Sequence, residues 1–208
     1  MILGIDDSPH LKGELHHYRP SPIISDKINQ VYLVGAICKG LQLIYTAKEP
    51  IEVDGTDSTE AILRLYHNSP FQNQIRMIMI NSPTVGGFNI VNPFRINEIT
   101  QLPIILLSDR KPQSNIAEIY ARVFPERKEQ IEVLRRLPPI EELKVNLISD
   151  SNCSGMIYFH CIGIPKLEVL PVLRSLSYYS ALSEPLRLAH TIATMFNVEK
   201  EEAQPKEE

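Results

Sequence analysis

The pattern of apolar and polar positions predicts strands in the first part of the chain. Residues 2–6, 31–40 and 41–53 are apolar runs typical of strands, and Lys39–Gly40 between the last two is typical of a tight turn. Short connections of this kind favour antiparallel neighbours. We therefore expect the first three strands to form an antiparallel meander.

After the meander, short apolar strands alternate with segments of helical spacing. Ile62, Leu65 and Tyr66 share one helix face, and a Gly-rich turn precedes a short helix interrupted by proline in residues 83–101. Further strands are predicted at residues 75–80, 103–108, 144–149 and 155–164, and further helices at residues 114–136, 165–181 and 183–196. In the last helix the apolar stripe comprises Leu182, Leu186, Ala189, Ala193 and Phe196.

A meander followed by alternating helices and strands predicts an α/β fold: a mixed sheet of ribonuclease H-like architecture, with the first strand in a central position. No internal repeat or linker divides the chain, so residues 1–198 are expected to form a single domain. The last ten residues contain five Glu, two Lys and no large apolar side chain. Residues 199–208 are therefore expected to be a disordered acidic tail.

Composition narrows the class of protein. The 208 residues carry a net charge of −4, so no strong basic field indicates a nucleic-acid partner. A local basic cluster, interleaved with Glu, is more typical of a solvated helix face than of a phosphate-binding surface; it comprises Arg122, Arg127, Lys128, Arg135 and Arg136.

No apolar run is long enough to span a membrane, and the first residues lack a secretory signal pattern. Three cysteines without a C-x-x-C pair favour a reducing cytoplasm.

Two adjacent carboxylates, Asp6 and Asp7, follow the first strand. Strand alternation places Ile2, Gly4 and Asp6 on one face of the sheet and Asp7 on the other. One interpretation is a turn, because Asp-Asp-Ser-Pro is good turn chemistry. The other is that one of the two acids, with Asp6 preferred, holds a metal ion.

Several motifs along the chain resemble a known family. The segments "ILGIDDSP", "VDGTDSTEAI", "MINSPTVGGFNIVNP", "LPIILLS" and "SEPLRLAHTIA" resemble a mainly archaeal family known as endonuclease dU-like. That family is distantly similar to endonuclease V. The resemblance extends from residue 1 to about residue 198 and implies a ribonuclease H-like fold. It also implies a phosphodiesterase site for DNA or RNA that uses a divalent metal, Mg²⁺ or Mn²⁺.

The resemblance also implies where the metal ligands lie. Asp6 on the first strand is expected to be the first ligand, and Asp54 or Asp57, near the start of the first helix, the second. A structural interpretation competes for these residues, because Asp57-Ser58-Thr59-Glu60 resembles a capping box. Glu60 lies opposite the apolar stripe of that helix and is expected to face solvent.

Two positions depart from endonuclease V. Asn81 stands where a third acid is expected after the next strand, which keeps an oxygen ligand but removes a charge from the site. The segment "VDG" stands where endonuclease V has an aromatic wedge that helps expose an altered base. These departures favour weak metal binding and make recognition of a deaminated base doubtful.

The last predicted helix resembles endonuclease V most closely. The resemblance implies that His190 stands where endonuclease V has a residue close to the metal, so His190 is a candidate ligand or proton donor. Arg187, on the same helix face, is expected either to bind phosphate or to pair with Glu184. Gly86 and Gly87 form either a phosphate cradle or a backbone turn. His16 and His17 lie in a polar loop that could face substrate.

Two functions are consistent with these observations. The first is an active metal-dependent endonuclease, favoured by Asp6, Asp54, Asp57 and His190. The second is a nucleic-acid-binding or scaffold protein of the same fold with an incomplete metal site, favoured by Asn81. Convergence of Asp6, His190 and a second acid in space would favour the enzyme.

Overall fold

The computed structural model describes residues 1–8, 30–111 and 115–196. Its strands are β1 (Ile2–Asp7), β2 (Gln30–Lys39), β3 (Gln42–Glu52), β4 (Met77–Asn81), β5 (Thr84–Val85), β6 (Asn89–Ile90), β7 (Ile104–Ser108), β8 (Glu141–Asn146) and β9 (Ser154–Ile162). Its α-helices are α1 (Ser58–His67), α2 (Pro93–Thr100), α3 (Ile116–Val123), α4 (Lys128–Arg135), α5 (Lys166–Leu176) and α6 (Glu184–Ala193). The predicted acidic tail and the pair His16 and His17 lie outside these ranges.

Seven strands form one mixed sheet in the order β3-β2-β1-β4-β7-β9-β8, and β5 pairs with β6 in a separate small hairpin. The first three strands are antiparallel neighbours, whereas β1, β4 and β7 run parallel. The predicted mixed sheet with an internal first strand is therefore confirmed. Because parallel strands end at the same edge, the carboxyl ends of β1, β4 and β7 lie side by side.

Helices cover both faces of the sheet, as expected for central strands that are apolar on both sides. On one face Leu3 and Ile5 of β1 pack in a core with α1 and α2, which contribute Ile62 and Ile96. On the opposite face the core contains side chains of β4, β7, β8 and β9 together with α5 and α6, such as Leu186. The alternation predicted for β1 thus separates its side chains between two cores.

The packing of α6 on β1 depends on Gly4, which has no side chain. A Cβ atom added to Gly4 would lie 2.4 Å from both the carbonyl carbon and the oxygen of Pro185, at the start of α6. Real Cβ atoms do not approach backbone atoms so closely. Glycine at this position therefore allows α6 to lie directly against the central strand.

Proline changes two predicted helices. The segment 114–136 is not one helix but two, α3 and α4, which are separated around Phe124 and Pro125. Proline lacks an N–H and disfavours helical backbone at the preceding residue, and Phe124 has φ −130° and ψ 65°. In α2, by contrast, Pro93 begins the helix instead of interrupting it, while Asn92 accepts a hydrogen bond from the Arg95 N–H.

The cysteines are all free thiols, with Cys38 buried and Cys153 exposed. Burial raises the pKa of Cys38 and of Cys161 to about 11, so both remain protonated at neutral pH. Among the residues that the structure describes, no helix has the length and apolar character needed to cross a membrane.

Candidate active site

Asp6 lies at the carboxyl end of β1 and is 2% exposed. Its Oδ1 accepts hydrogen bonds of 3.0 Å from the Asp7 N–H and 3.0 Å from Nδ2 of Asn81. Its Oδ2 lies 2.8 Å from Nδ1 of His190. The structure therefore brings together three of the residues singled out in the sequence: Asp6, Asn81 and His190.

Two elements of the fold create this contact. Asp6 shares a face of β1 with Gly4, and α6 packs on that face. His190 lies in the last turn of α6, so its ring reaches Asp6. Asn81 ends the neighbouring parallel strand β4, where it follows Ile80, the partner of Ile5. Three segments distant in sequence thus meet at one sheet edge.

The environment of Asp6 favours its neutral form. Burial raises the pKa of Asp6 from 3.8 to about 6, and the nearby Asp7 carboxylate contributes to this increase. The hydrogen bonds from Asn81 and from the Asp7 N–H, and the proximity of His190, act in the opposite direction. Above pH 6 the carboxylate is mainly ionised and can only accept, so the Nδ1–H of His190 donates a hydrogen bond to Oδ2 of Asp6.

The imidazole is held at one nitrogen and accessible at the rest of its ring. The His190 side chain is 57% exposed, whereas that of Asp6 is 3% exposed. A buried carboxylate that binds Nδ1 fixes the ring orientation and the tautomer, leaving Nε2 for proton exchange. Asp–His pairs of this kind serve as general acids and bases.

Asp7 points to the opposite face of the sheet and connects β1 to the β5–β6 hairpin. Its Oδ2 accepts a 2.9 Å hydrogen bond from the Gly86 N–H. Gly86 and Gly87 have φ values of 51° and 82°, and a Cβ on Gly87 would lie 2.3 Å from Oδ1 of Asp54. The two glycines thus form a tight turn. The Gly86 N–H, which a phosphate cradle would use as a donor, already donates to the Asp7 carboxylate.

In the structure the carboxylates of Asp54 and Asp57 form their hydrogen bonds at the β5–β6 hairpin and not with Asp6, so their place in the site stays a prediction. Oδ1 of Asp54 accepts a 2.7 Å bond from the Phe88 N–H. Asp57 accepts a 2.6 Å bond from Nδ2 of Asn89 and longer bonds from the Glu52 N–H. Both carboxylates therefore hold the β5–β6 hairpin against the end of β3. Their side chains are oriented by hydrogen bonds that the local sequence does not reveal.

The capping-box interpretation is correct in position but not in its bonds. Asp57 is the N-cap residue of α1, yet its side chain makes no cap hydrogen bond. Instead the Ser58 N–H donates to Oδ1 of Asn89 at 3.1 Å. Glu60 pairs with Arg95 at 2.9 Å, with both side chains more than half exposed, in agreement with the predicted solvent-facing position.

Of the two expectations for Arg187, the structure shows the ion pair. Nε and Nη2 of Arg187 donate to the two carboxylate oxygens of Glu184 at 2.8 and 2.6 Å. The Glu184 side chain is 6% exposed, so this fork neutralises a buried charge in the first turn of α6, the helix that also carries His190. Contact with phosphate remains a prediction, since the Arg187 side chain is still 31% exposed.

Comparison with known proteins agrees with the motifs. The model of the Endonuclease dU family matches residues 1–197. The chain belongs to the endonuclease dU family. Among its relatives, a UPF0215 protein of Thermococcus gammatolerans is 35% identical over 164 residues, which cover 78% of this chain and 79% of the relative. A second, from Thermococcus kodakarensis, is 31% identical over 196 residues, covering 93% and 90%.

Solved structures show that this endonuclease dU family member shares its fold with endonuclease V. A protein of unknown function from Archaeoglobus fulgidus has a TM-score of 0.72 at 22% identity, covering 93% of this chain and 96% of that one. Endonuclease V of Ciona intestinalis, in complex with a 24mer DNA containing an inosine followed by a ribo-adenosine, has a TM-score of 0.56 at 6% identity, covering 93% and 84%. Human ENDOV has a TM-score of 0.51 at 12% identity, covering 93% and 82%.

In this endonuclease dU family member, the three residues of the site could bind a divalent metal ion, but only one of them carries a negative charge. Asp6 offers a carboxylate, Asn81 an amide oxygen and His190 an imidazole, and hard cations favour oxygen ligands. Asn81 directs its NH₂ group at Asp6, so its oxygen becomes a ligand only after the amide rotates. In the described part of the chain, no group of three or more His, Cys, Asp or Glu side chains could hold a metal ion.

A cavity at the same sheet edge was not apparent from the sequence. Its volume is about 720 Å³, and Ser108, Tyr158 and His160 are among its lining residues. The only sequence signal was the "IYFHCI" run, in which Tyr158 and His160 share one face of a strand. The paired strand and the covering helices, which complete the cavity, are distant in sequence.

Proposed function

We propose that the chain is a divalent-metal-dependent endonuclease that cleaves phosphodiester bonds in DNA or RNA and acts in cytoplasmic nucleic-acid repair. The observation that carries this proposal is the buried Asp6 at the end of the central parallel strand, in contact with both Asn81 and His190. Family membership and the endonuclease V fold support it. In open α/β sheets, the carboxyl ends of parallel strands are the usual place for a ligand.

The side chains of the site have distinct parts in this proposal. Asp6 orients His190 through Nδ1, and the exposed ring exchanges a proton with water or with the leaving oxygen at Nε2. Asn81 holds Oδ1 of Asp6, which keeps the other oxygen directed at His190. A Mg²⁺ or Mn²⁺ ion held by Asp6 and by the oxygen of a rotated Asn81 amide would supply an activated water and stabilise the leaving oxygen, while Nε2 of His190 stays available for proton exchange.

The names of the relatives indicate the substrate class. The family is named for an endonuclease of dU, and the Ciona endonuclease V was crystallised with DNA containing an inosine. Both names denote nucleic acid with an altered base. We therefore propose altered-base DNA as the first substrate to test, with RNA as the second. The segment "VDG" lacks the aromatic wedge of endonuclease V, so other side chains must expose the altered base.

A second candidate function is a nucleic-acid-binding or scaffold protein without catalysis. The observation that favours it is the charge of the site: Asn81 replaces an acid, and Asp54 and Asp57 are turned to the β5–β6 hairpin. With one carboxylate at its centre, the site binds a metal ion more weakly than a site with three. Nuclease assays separate the two functions.

We expect the protein to cleave uracil- or hypoxanthine-containing DNA in the presence of Mg²⁺ or Mn²⁺. His190→Gln should lower the rate of cleavage at least about 100-fold, since general acid–base catalysis contributes about 10²–10⁴-fold. The assay compares labelled DNA and RNA over a range of pH. His67→Gln is the matched control, because His67 is an exposed histidine on α1. If the protein binds nucleic acid but cleaves it with neither metal, the second candidate function, binding without catalysis, is correct.

Restoring an acid at position 81 tests whether this position faces the metal. Asn81→Asp should tighten Mn²⁺ or Mg²⁺ binding by about ten- to a hundredfold, or about 1–3 kcal/mol, because a charged oxygen is added beside Asp6. Calorimetric titration of both proteins measures the change, and Asn152→Asp in an exposed turn serves as a control. An unchanged affinity in a folded Asn81→Asp protein would place the metal away from Asn81.

A further inference from the structure

The 720 Å³ cavity lies beside the candidate active site. Its lining includes Ser82, which directly follows Asn81, and Leu107, which pairs with Asn81 across β4 and β7. Helices α3 and α4 cover it with apolar side chains such as Ile116 and Leu134. Cavities of this size typically bind small organic molecules, so this one is large enough for a nucleobase with its sugar.

The charged residues that line the cavity are exposed, whereas its histidine is buried. Three of them are cations, Arg110, Lys111 and Arg135, and one is an acid, Glu118; Lys111 also pairs with Glu142 at 3.6 Å. On the sheet side of the cavity, Ser108 pairs with Tyr158, and the buried His160 pairs with Leu106 two residues away on each strand. A ligand with an anionic group at one end and a planar polar ring at the other matches this arrangement.

The hydrogen bond at Nδ1 determines which tautomer His160 adopts. His160 is 8% exposed, and its Nδ1 lies 2.6 Å from the carbonyl oxygen of Pro138. A carbonyl oxygen can only accept, so Nδ1 carries the proton. Burial lowers the pKa of His160, which keeps the ring neutral at physiological pH. Nε2 of the neutral ring therefore has a lone pair and no proton.

This lone pair is accessible from the cavity. Within residues 1–8, 30–111 and 115–196, nothing forms a hydrogen bond with Nε2, and no fully buried side-chain nitrogen or oxygen is left without a partner. Nε2 must therefore be reachable by solvent, and His160 is a lining residue. A largely buried acceptor in the wall of a largely apolar cavity selects ligands that offer a donor, because an unpaired buried polar group is costly.

We propose that this cavity binds an unstacked nucleobase of the nucleic-acid substrate, and that Nε2 of His160 selects bases that carry a ring N–H. This inference rests on the proposed function. The exposed cations of the lining would face the flanking phosphate, and the apolar walls the plane of the base. Uracil, thymine, guanine and hypoxanthine carry such an N–H, whereas cytosine and adenine present a lone pair at the equivalent ring nitrogen.

The test compares binding of single-stranded oligonucleotides that differ in one central base, measured by fluorescence anisotropy in EDTA so that metal-dependent cleavage cannot occur. Wild-type protein should bind the uracil oligonucleotide about tenfold more tightly than those with cytosine or N3-methyluracil, since the methyl group replaces the N–H. His160→Phe should abolish this difference. His67→Phe should retain it, because His67 lies on α1 outside the cavity.

The arms of this experiment separate the possible outcomes. A preference against N3-methyluracil that persists in His160→Phe is steric and overturns the role of His160. Equal binding of all oligonucleotides by wild-type protein overturns the inference while leaving the nuclease possible, and absence of any binding overturns both. Uridine monophosphate should compete only weakly, and tighter binding of this free nucleotide than of the oligonucleotide would overturn the assignment to a polynucleotide. If His160→Phe fails to fold by circular dichroism, His160→Leu, which also removes the acceptor, takes its place in the same comparison.

Discussion

Asp6→Asn is expected to abolish phosphodiester cleavage and, at neutral pH, to stabilise the folded protein. The substitution removes the charge that orients His190 and the one acid at the centre of the site, so activity should fall at least about 100-fold. The amide can keep the contacts with the Asp7 N–H and Asn81, because Oδ1 accepts both. The fold is therefore expected to be retained.

The expected gain in stability follows from the pKa of Asp6. Because this pKa is about 6 in the folded protein and 3.8 ordinarily, the folded state binds more protons than the unfolded state between these values. The free energy of unfolding therefore falls as pH rises from about 4 to 6 and stays lower above pH 6. At about 1.36 kcal/mol per pKa unit, the Asp6 carboxylate costs about 3 kcal/mol at pH 7.

Urea unfolding at pH 4 and pH 7.5, in EDTA, measures this effect. Asp6→Asn should be more stable than wild type by about 1–3 kcal/mol at pH 7.5, with a smaller gain at pH 4. Glu98→Gln, which neutralises an exposed acid on α2, should show no such pH dependence. Full activity in Asp6→Asn would show that Asp6 is not part of the active site. A loss of stability in this variant at pH 7.5 would show that the Asp6 carboxylate is better solvated than its burial indicates.

The second large effect is expected for Gly4→Ala. The added methyl group would lie 2.4 Å from backbone atoms of Pro185, which cannot rotate away as a side chain can. Helix α6 must therefore shift away from β1, and His190 with it. Because overpacking typically costs about 1–3 kcal/mol, and this contact involves backbone on both sides, we expect a loss of about 3 kcal/mol or more.

A neighbouring glycine provides the control. A Cβ on Gly35 of β2 would lie 3.1 Å from Cδ1 of Leu3, a side-chain atom that can move. Gly35→Ala should therefore lose clearly less stability than Gly4→Ala in urea unfolding. Gly4→Ala should also lose activity at temperatures where it remains folded, because the Asp6–His190 contact depends on the position of α6. Equal stability of the two variants would contradict the close packing of α6.

Predictions that rest on local pattern agree well with the structure. Alternation along β1 correctly placed Asp6 and Asp7 on opposite faces, and the parallel neighbourhood of β1 and β4 correctly placed Asn81 beside Asp6. These predictions needed only the period of a strand and the order of elements. The division of the predicted helix 114–136 at Pro125 was equally local, and the rules for proline could have predicted it.

Predictions that depend on side-chain direction in loops were less successful. Asp54 and Asp57 occupy the expected segment, but their carboxylates bind the N–H of Phe88 and the amide of Asn89, residues more than 30 positions away. For Arg187 the sequence allowed two partners; the structure shows the ion pair with the buried Glu184, and the contact with phosphate stays a prediction. In each case the deciding hydrogen bond forms only after distant segments meet.

The sequence by itself determined the class of fold, the face of β1 that carries Asp6, and the likeness to the endonuclease dU family, because these depend on short-range periodicity and on motifs. The tertiary structure alone decided which candidate residues share a site. Asp6, Asn81 and His190 meet because Gly4 lets α6 lie against β1, and Nε2 of His160 faces a cavity because the Pro138 carbonyl takes its Nδ1–H. A hydrogen bond needs two groups within about 3 Å, and only the packed chain brings groups so distant in sequence to that range.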